Sequence, residues 1–178
     1  LAAAVVKPSA LKEDRLEAFQ RLMILHEKMV LRTAFRMLGR LEDAQDVSQE
    51  VFLRFYRHFE GIREDLGVPA WLYRTTMNLC FDLLRARKPV ESIEWDPPVR
   101  ATQEDDVERD ERRRLLAAAL QHLPEKERAA VVLREIEGLD TREVAAILGS
   151  TEQTVRSQVS VGKSRLRGLM ELFAGRTS

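Results

Sequence analysis

Gly138-Leu139-Asp140-Thr141-Arg142-Glu143-Val144-Ala145-Ala146-Ile147-Leu148-Gly149-Ser150-Thr151-Glu152-Gln153-Thr154-Val155-Arg156-Ser157 reads as two short helices joined by a tight turn. Ala145 is small enough to let the second helix cross close over the first. Gly149, four residues on, gives the turn its backbone freedom, and Val155, six further, plugs the second helix back onto the first. Three size-restricted positions set between two amphipathic helices are the spacing of a DNA-binding helix-turn-helix. The alternative is an ordinary helical hairpin, against which the coincidence of all three positions counts.

The 178 residues can hold one medium domain or two small ones. Gly and Pro are scarce while Leu, Ala, Glu and Arg abound, which favours an all-α chain. No apolar run approaches membrane-spanning length, so no membrane contact is expected. The opening Leu1-Ala2-Ala3-Ala4-Val5-Val6 is too short, and lacks the basic flank, for a secretory signal. A single cysteine, Cys80, excludes an intramolecular disulfide and fits a reducing cytoplasm. His26, His58 and His122 lie far apart without metal-ligand spacing, so neither a metal nor another cofactor is expected. Formal net charge is zero, yet residues 1–89 carry +3, residues 90–111 carry −7 and residues 112–178 carry +4. Two mildly basic ends flank one acidic strip, as suits a protein that touches DNA through two surfaces.

Apolar residues recur at helical spacing through residues 12–89, the first domain. Leu16, Phe19, Leu22 and Met23 form one stripe, and Met29, Val30, Thr33, Ala34, Met37 and Leu38 a second that Gly39 stops. A helix starting near Glu42-Asp43 runs through Val47, Val51, Phe52 and Phe55 to about Phe59. After a connection around Gly61–Pro69, another runs from Ala70 to about Arg87. Residues 90–108 are acidic, contain proline and lack apolar periodicity, which reads as an extended, flexible linker. Residues 109–173 form the second domain. Helix resumes near Val107, Pro124 opens a helix spanning Glu125 to about Glu137, and the helix-turn-helix follows.

Three constellations carry candidate chemistry. Glu152, Gln153, Arg156, Ser157 and Ser160 stand on the second helix of the motif where base edges would be read, and Lys163, Arg165 and Arg167 follow as phosphate partners. A solvated basic face is the plainer reading of any one of them. Asp43, Asp46 and Glu50 repeat at helical spacing as a negative stripe that cannot favour DNA but suits a basic protein surface. Read alone, such a stripe is more often a plain solvated helix face. Aromatic, amide and basic residues interleave from Trp71 to Lys88, as a surface that stacks unpaired bases and tracks phosphate would require. Trp71 by itself also fits plain core. Nucleophile triads, phosphate-cradling loops and zinc spacing are missing from the sequence, so catalysis has little support.

Taken in order, Arg36-Met37-Leu38-Gly39, Glu42-Asp43-Ala44-Gln45-Asp46-Val47-Ser48-Gln49-Glu50-Val51-Phe52, Trp71-Leu72-Tyr73-Arg74, Asn78-Leu79-Cys80, Asp82 and Arg85 make a recognisable run. Leu123-Pro124, Arg128, Val131, Gly138, Glu143-Val144-Ala145, Leu148-Gly149 and Thr154-Val155-Arg156-Ser157 continue it. The sequence resembles the extracytoplasmic-function (ECF) group of bacterial sigma-70 RNA polymerase sigma factors, from about Leu16 to Leu172. That resemblance implies a region 2 bundle, an acidic linker and a region 4 helix-turn-helix. It implies that Asp43, Asp46, Gln49 and Glu50 dock on the clamp helices of the polymerase's largest subunit, with region 4 meeting the flap. It further implies that Trp71, Arg74, Asn78, Asp82, Arg85 and Lys88 melt and hold the −10 element, Asn78 foremost. Gln153, Arg156, Ser157, Ser160, Lys163 and Arg165 would read the −35 duplex. An anti-sigma factor that masks both surfaces is implied as well, and a bacterial, cytoplasmic setting. The sequence departs from the family pattern at Val161-Gly162, where a basic residue and Ala often stand, and at Ser160, where an aromatic can occur. Gly162 also costs a helix interior about 1 kcal/mol relative to Ala. The rival class is a dimeric helix-turn-helix regulator with a helical sensor, which has no need of the acidic helix. A protein-binding adaptor leaves Arg156 through Arg167 unexplained.

Overall fold

A computed structural model describes residues 8–58, 67–87 and 104–174, with side chains from residue 16 in the first stretch and from 112 in the third. Among the described residues the chain is helical throughout, without a strand. The first module packs α1 (Pro8–Leu38), α2 (Leu41–His58) and α3 (Gly67–Ala86) around Val30, Met37, Val51, Phe55, Leu72 and Met77. The two stripes read in the sequence belong to one continuous α1, because neither Gly nor Pro interrupts residues 9–38. That helix ends at Gly39, whose φ of +73° is a left-handed conformation only glycine adopts freely, and whose N–H donates to Phe35 O at 2.8 Å. Carboxylates of Glu42 and Asp43 in the first turn favour α2 through the helix dipole. Its buried Ala44, Val47, Ser48, Val51, Phe52 and Phe55 keep the three-and-four spacing of a core stripe. Helix α3 starts three residues before the expected Ala70, because Pro69 fits a first turn where its missing N–H is not needed.

The second module comprises α4 (Glu104–Gln121), α5 (Glu125–Val131), α6 (Thr141–Leu148) and α7 (Glu152–Ala174). Helix α4 begins ahead of the expected Val107 and so includes the end of the strip assigned to the linker. No Gly or Pro there stops a helix from extending backwards. Of that strip, residues 90–103 lie outside the described residues. Helix α5 does not run evenly to Glu137: it widens into a π turn over Val132–Ile136, closed by Glu137 N–H to Val132 O at 2.9 Å.

The helix-turn-helix is built by local chemistry. Asp140 accepts from Glu143 N–H at 2.8 Å while its own N–H donates to Glu143 Oε2 at 2.9 Å, a capping box that starts α6. Gly149, at φ +61°, ends it. Thr151 Oγ1 then accepts from Thr154 N–H at 3.1 Å and opens α7. Ala145, Val155 and Val159 are buried between the helices. Gly162 is buried too, and a Cβ there would lie 2.7 Å from Val131 Cγ2, so the crossing of α7 over α5 requires glycine.

The two modules share one core. Leu120, Leu123 and the Ala129–Leu133 run join the cluster formed by α1, α2 and α3. Helix α3 lies against α6, and the C-terminal end of α1 meets α4 and α5 through polar contacts described below.

Candidate nucleic-acid and partner interfaces

Because Val155 and Val159 face inward, the opposite side of α7 presents Gln153, Arg156, Ser157 and Ser160 to solvent. Arg156 Nη2 is 2.6 Å from Glu152 Oε2, one turn back, which extends the guanidinium along the helix. Thr151, Gln153, Thr154, Ser157 and Gln158 line a shallow groove at the helix start. A second groove joins Arg156, Ser160, Lys163 and Arg167 to Arg134 and Thr141. Arg134 comes from the π turn and is absent from the sequence-based set. Lys163 Nζ pairs with Glu135 Oε2 at 2.7 Å, and Arg165 Nη1 with Glu127 Oε1 at 3.2 Å. Both cations therefore lie along the α5 flank of α7, half exposed.

On α3, Arg74, Asn78, Asp82 and Arg85 succeed one another at spacings of four, four and three, forming one exposed stripe. Asp82 and Arg85 are ion-paired. Arg74 Nη2 donates to Ala146 O of α6 at 2.7 Å, so one end of the stripe abuts the helix-turn-helix. Trp71 is half-buried, its ring 5.7 Å from that of Phe55 and 6.5 Å from His58. Lys88, like residues 59–66, lies outside the described residues.

On α2, Asp46 and Gln49 are exposed, and Glu50 Oε1 accepts from Arg54 Nε at 2.7 Å. Asp43 stands apart from them. It is ion-paired with Arg87 beyond α3 and lies 3.7 Å from Arg40, which ties the start of α2 to the end of α3.

Sequence reasoning missed a buried polar seam between the modules. Glu137, at the exit of the π turn, accepts from Thr33 Oγ1 at 3.1 Å, from Tyr73 Oη at 3.1 Å and from the Arg36 guanidinium. Burial, and then the charge of Glu137, push the Tyr73 hydroxyl well above its ordinary range. Arg128, only 5% exposed, donates to Met37 O at the end of α1 and to Gln121 Oε1, Gln121 O and Leu123 O of its own module. Burial lowers its pKa to about 10. The available signal was a charged residue standing directly before the apolar run Ala129–Leu133. The Cys80 thiol is buried and pushed up to about 12, chiefly by desolvation, so it is chemically quiet. Among the described residues no cluster of His, Cys, Asp or Glu could hold a metal, and no helix is long and apolar enough to cross a membrane.

A three-helix bundle with an exposed stripe of amide and charged residues, packed against a helix-turn-helix with an exposed polar face, is a bipartite all-helical architecture. Comparison with known families narrows the class. Residues 22–90 match Sigma-70 region 2, and residues 113–166 match Sigma-70, region 4. The chain is 33% identical over 155 residues to the ECF RNA polymerase sigma factor SigM of Mycobacterium tuberculosis, covering 86% of this chain and 77% of that one. It is 28% identical over 171 residues to SigW of Bacillus subtilis, covering 88% and 90%. Against SigE of Mycolicibacterium smegmatis identity is 34% over 167 residues, but the match spans only 65% of that longer protein. Among solved structures, the sigma factor RpoE of Bartonella quintana in complex with the anti-sigma factor NepR superposes with a TM-score of 0.72 at 20% identity, covering 87% of this chain and 98% of that one. CnrH in complex with the cytosolic domain of CnrY gives 0.64 at 25% identity, covering 88% and 90%. The chain belongs to the ECF group of the sigma-70 family, whose members are transcription initiation factors and not enzymes.

Proposed function

We propose that this protein binds core RNA polymerase through α2 and directs it to promoters whose −35 duplex is read by α7 and whose −10 element is melted on α3. Asp46 and Gln49, with Glu50 beside them, meet basic side chains of the polymerase clamp, where charge pairing contributes orientation and on-rate. Gln153, Arg156, Ser157 and Ser160 enter the major groove, and Lys163 and Arg165 exchange their carboxylate partners for phosphate. Half-exposed ion pairs are worth at most about 1 kcal/mol, so that exchange meets little resistance. Asn78, on the exposed stripe of α3, hydrogen-bonds an unstacked base while Arg74, Arg85 and Lys88 hold the strand. Asp43, already tied to Arg87, keeps α2 and α3 in register beneath these contacts. An anti-sigma factor completes the reading, by kinship with RpoE and CnrH, each solved with a partner protein.

The observation that carries this reading is the separation of chemistries: a carboxylate face on α2 and an amide-and-arginine face on α7, both open to solvent in one chain. Co-purification with bacterial core polymerase tests it. The wild-type chain should be retained and a double Asp46→Lys, Glu50→Lys variant lost, with helicity unchanged. Equal retention of both proteins refutes the assignment of α2.

A further inference from the structure

The rotation of α7 about its axis is fixed by what the helix buries. Val155, Val159 and Gly162 follow one another at spacings of four and three and pack inward, and the missing side chain of Gly162 lets the helix settle onto Val131 and Glu127. Val161, the residue before that contact, is thereby turned outward and stands 42% exposed. Between Glu152 and Arg167 it is the one apolar side chain exposed on α7. A lone exposed valine is ordinary on a protein surface. This one lies on the face assigned above to DNA. The free chain gains nothing from it, since valine is a poorer helix former than alanine or arginine.

The two sides of that face differ in chemistry. One groove gathers Arg134, Arg156, Lys163 and Arg167. The other, lined by Thr151, Gln153, Thr154, Ser157 and Gln158, has no charged side chain in its wall. Val161 follows Ser157 by four residues and Gln158 by three, so it prolongs the uncharged side by one turn. Arg165, four residues further, returns to a cation, paired with Glu127. A cationic flank suits phosphate, whereas amides, hydroxyls and methyl groups suit base edges. An isopropyl group can neither hold phosphate nor hydrogen-bond a base. Its counterpart in the major groove is the 5-methyl group of thymine. A β-branched side chain in a helix has one strongly preferred rotamer, so Val161 loses little freedom on contact.

We propose that Val161 selects a thymine in the −35 duplex through apolar contact with the 5-methyl group. This selection rests on the −35-reading role given above to α7 and adds a base preference to it. Gln153, Thr154 and Ser157 supply the hydrogen-bonding part of the same uncharged surface.

The test uses the full chain bound to core polymerase and a promoter fragment selected from a pooled library. Each thymine of the −35 element, on either strand, is replaced in turn by deoxyuridine, which pairs identically and lacks only the methyl group. Fluorescence anisotropy at fixed salt reads the affinity. At one thymine the replacement should weaken wild-type binding about three- to fourfold, the loss expected for one buried methyl group. Val161→Ala, too short to reach, should bind thymine and deoxyuridine alike at that position; its helicity should be unchanged, because the side chain is exposed. Val161→Thr, which keeps one methyl group in place, should retain part of the discrimination. A selected element without thymine, indifference to methyl loss at every position, or discrimination that survives intact in Val161→Ala overturns the assignment. The functional reading fails separately. If no promoter can be selected with core polymerase, that reading falls and the thymine contact with it; a selected promoter whose thymines are all replaceable removes the thymine contact alone.

Discussion

Replacing Gly162 with Ala should destabilise the protein although it improves helix propensity. In an exposed helix interior the exchange gains about 1 kcal/mol. Here the new methyl would lie 2.7 Å from Val131 Cγ2 and 3.4 Å from both Cβ and O of Glu127. Val131 cannot swing away, because it is 1% exposed and a β-branched side chain in a helix has one strongly preferred rotamer. Overpacking of this kind costs about 1–3 kcal/mol. The balance is a net loss of up to about 2 kcal/mol, or a few degrees in Tm at about 2–4 °C per kcal/mol for a chain of this size. Gly168 in the same helix is the matched control, since nothing lies within 4 Å of its added Cβ. Gly168→Ala should stabilise by up to about 1 kcal/mol. Urea unfolding followed by far-ultraviolet circular dichroism reads both midpoints. Two upward shifts of equal size would refute the close crossing of α5 and α7.

Arg156→Ala should weaken binding of a cognate −35 duplex by about 1–3 kcal/mol if the guanidinium grips a guanine edge, measured by fluorescence anisotropy at fixed salt. Asp140→Ala removes the acceptor for Glu143 N–H and should cost about 1 kcal/mol in urea midpoint analysis, without touching the α7 face. Asp43→Asn should lower stability as well as polymerase affinity, because it loosens Arg87, whereas Asp46→Asn should lower affinity alone. Cys80 should resist iodoacetamide in the native protein at pH 8 and react fully in denaturant; its thiol, held near 12 by burial, supplies almost no thiolate until the fold opens.

The helix-turn-helix was legible because its determinants are local: Ala145, Gly149 and Val155 act on residues within one or two turns of themselves. The same holds for Gly39 as a stop and for the core stripe of α2. What joins the modules was not legible. Thr33 and Glu137 are 104 residues apart, and no periodicity encodes such a contact. Gly162 illustrates how a local rule misleads. Propensity marks it as a weak point in α7, yet its value lies in Val131 on another helix. The acidic stripe of α2 is visible as a spacing, but spacing cannot say that Arg87 pairs with Asp43. Arg74 was likewise assigned from its stripe on α3, while its present partner belongs to α6. The π turn had no signal at all, since Val132–Ile136 has the composition of an ordinary apolar helix.

Run-off transcription by bacterial core polymerase on a pooled promoter library, with and without this protein, tests the central claim most directly. The account predicts discrete transcripts that require both core enzyme and the protein, start downstream of a shared pair of sequence elements, and vanish with Asp46→Lys, Glu50→Lys. Contradiction would be a protein that neither joins core polymerase nor yields such transcripts, yet binds a symmetric duplex unaided.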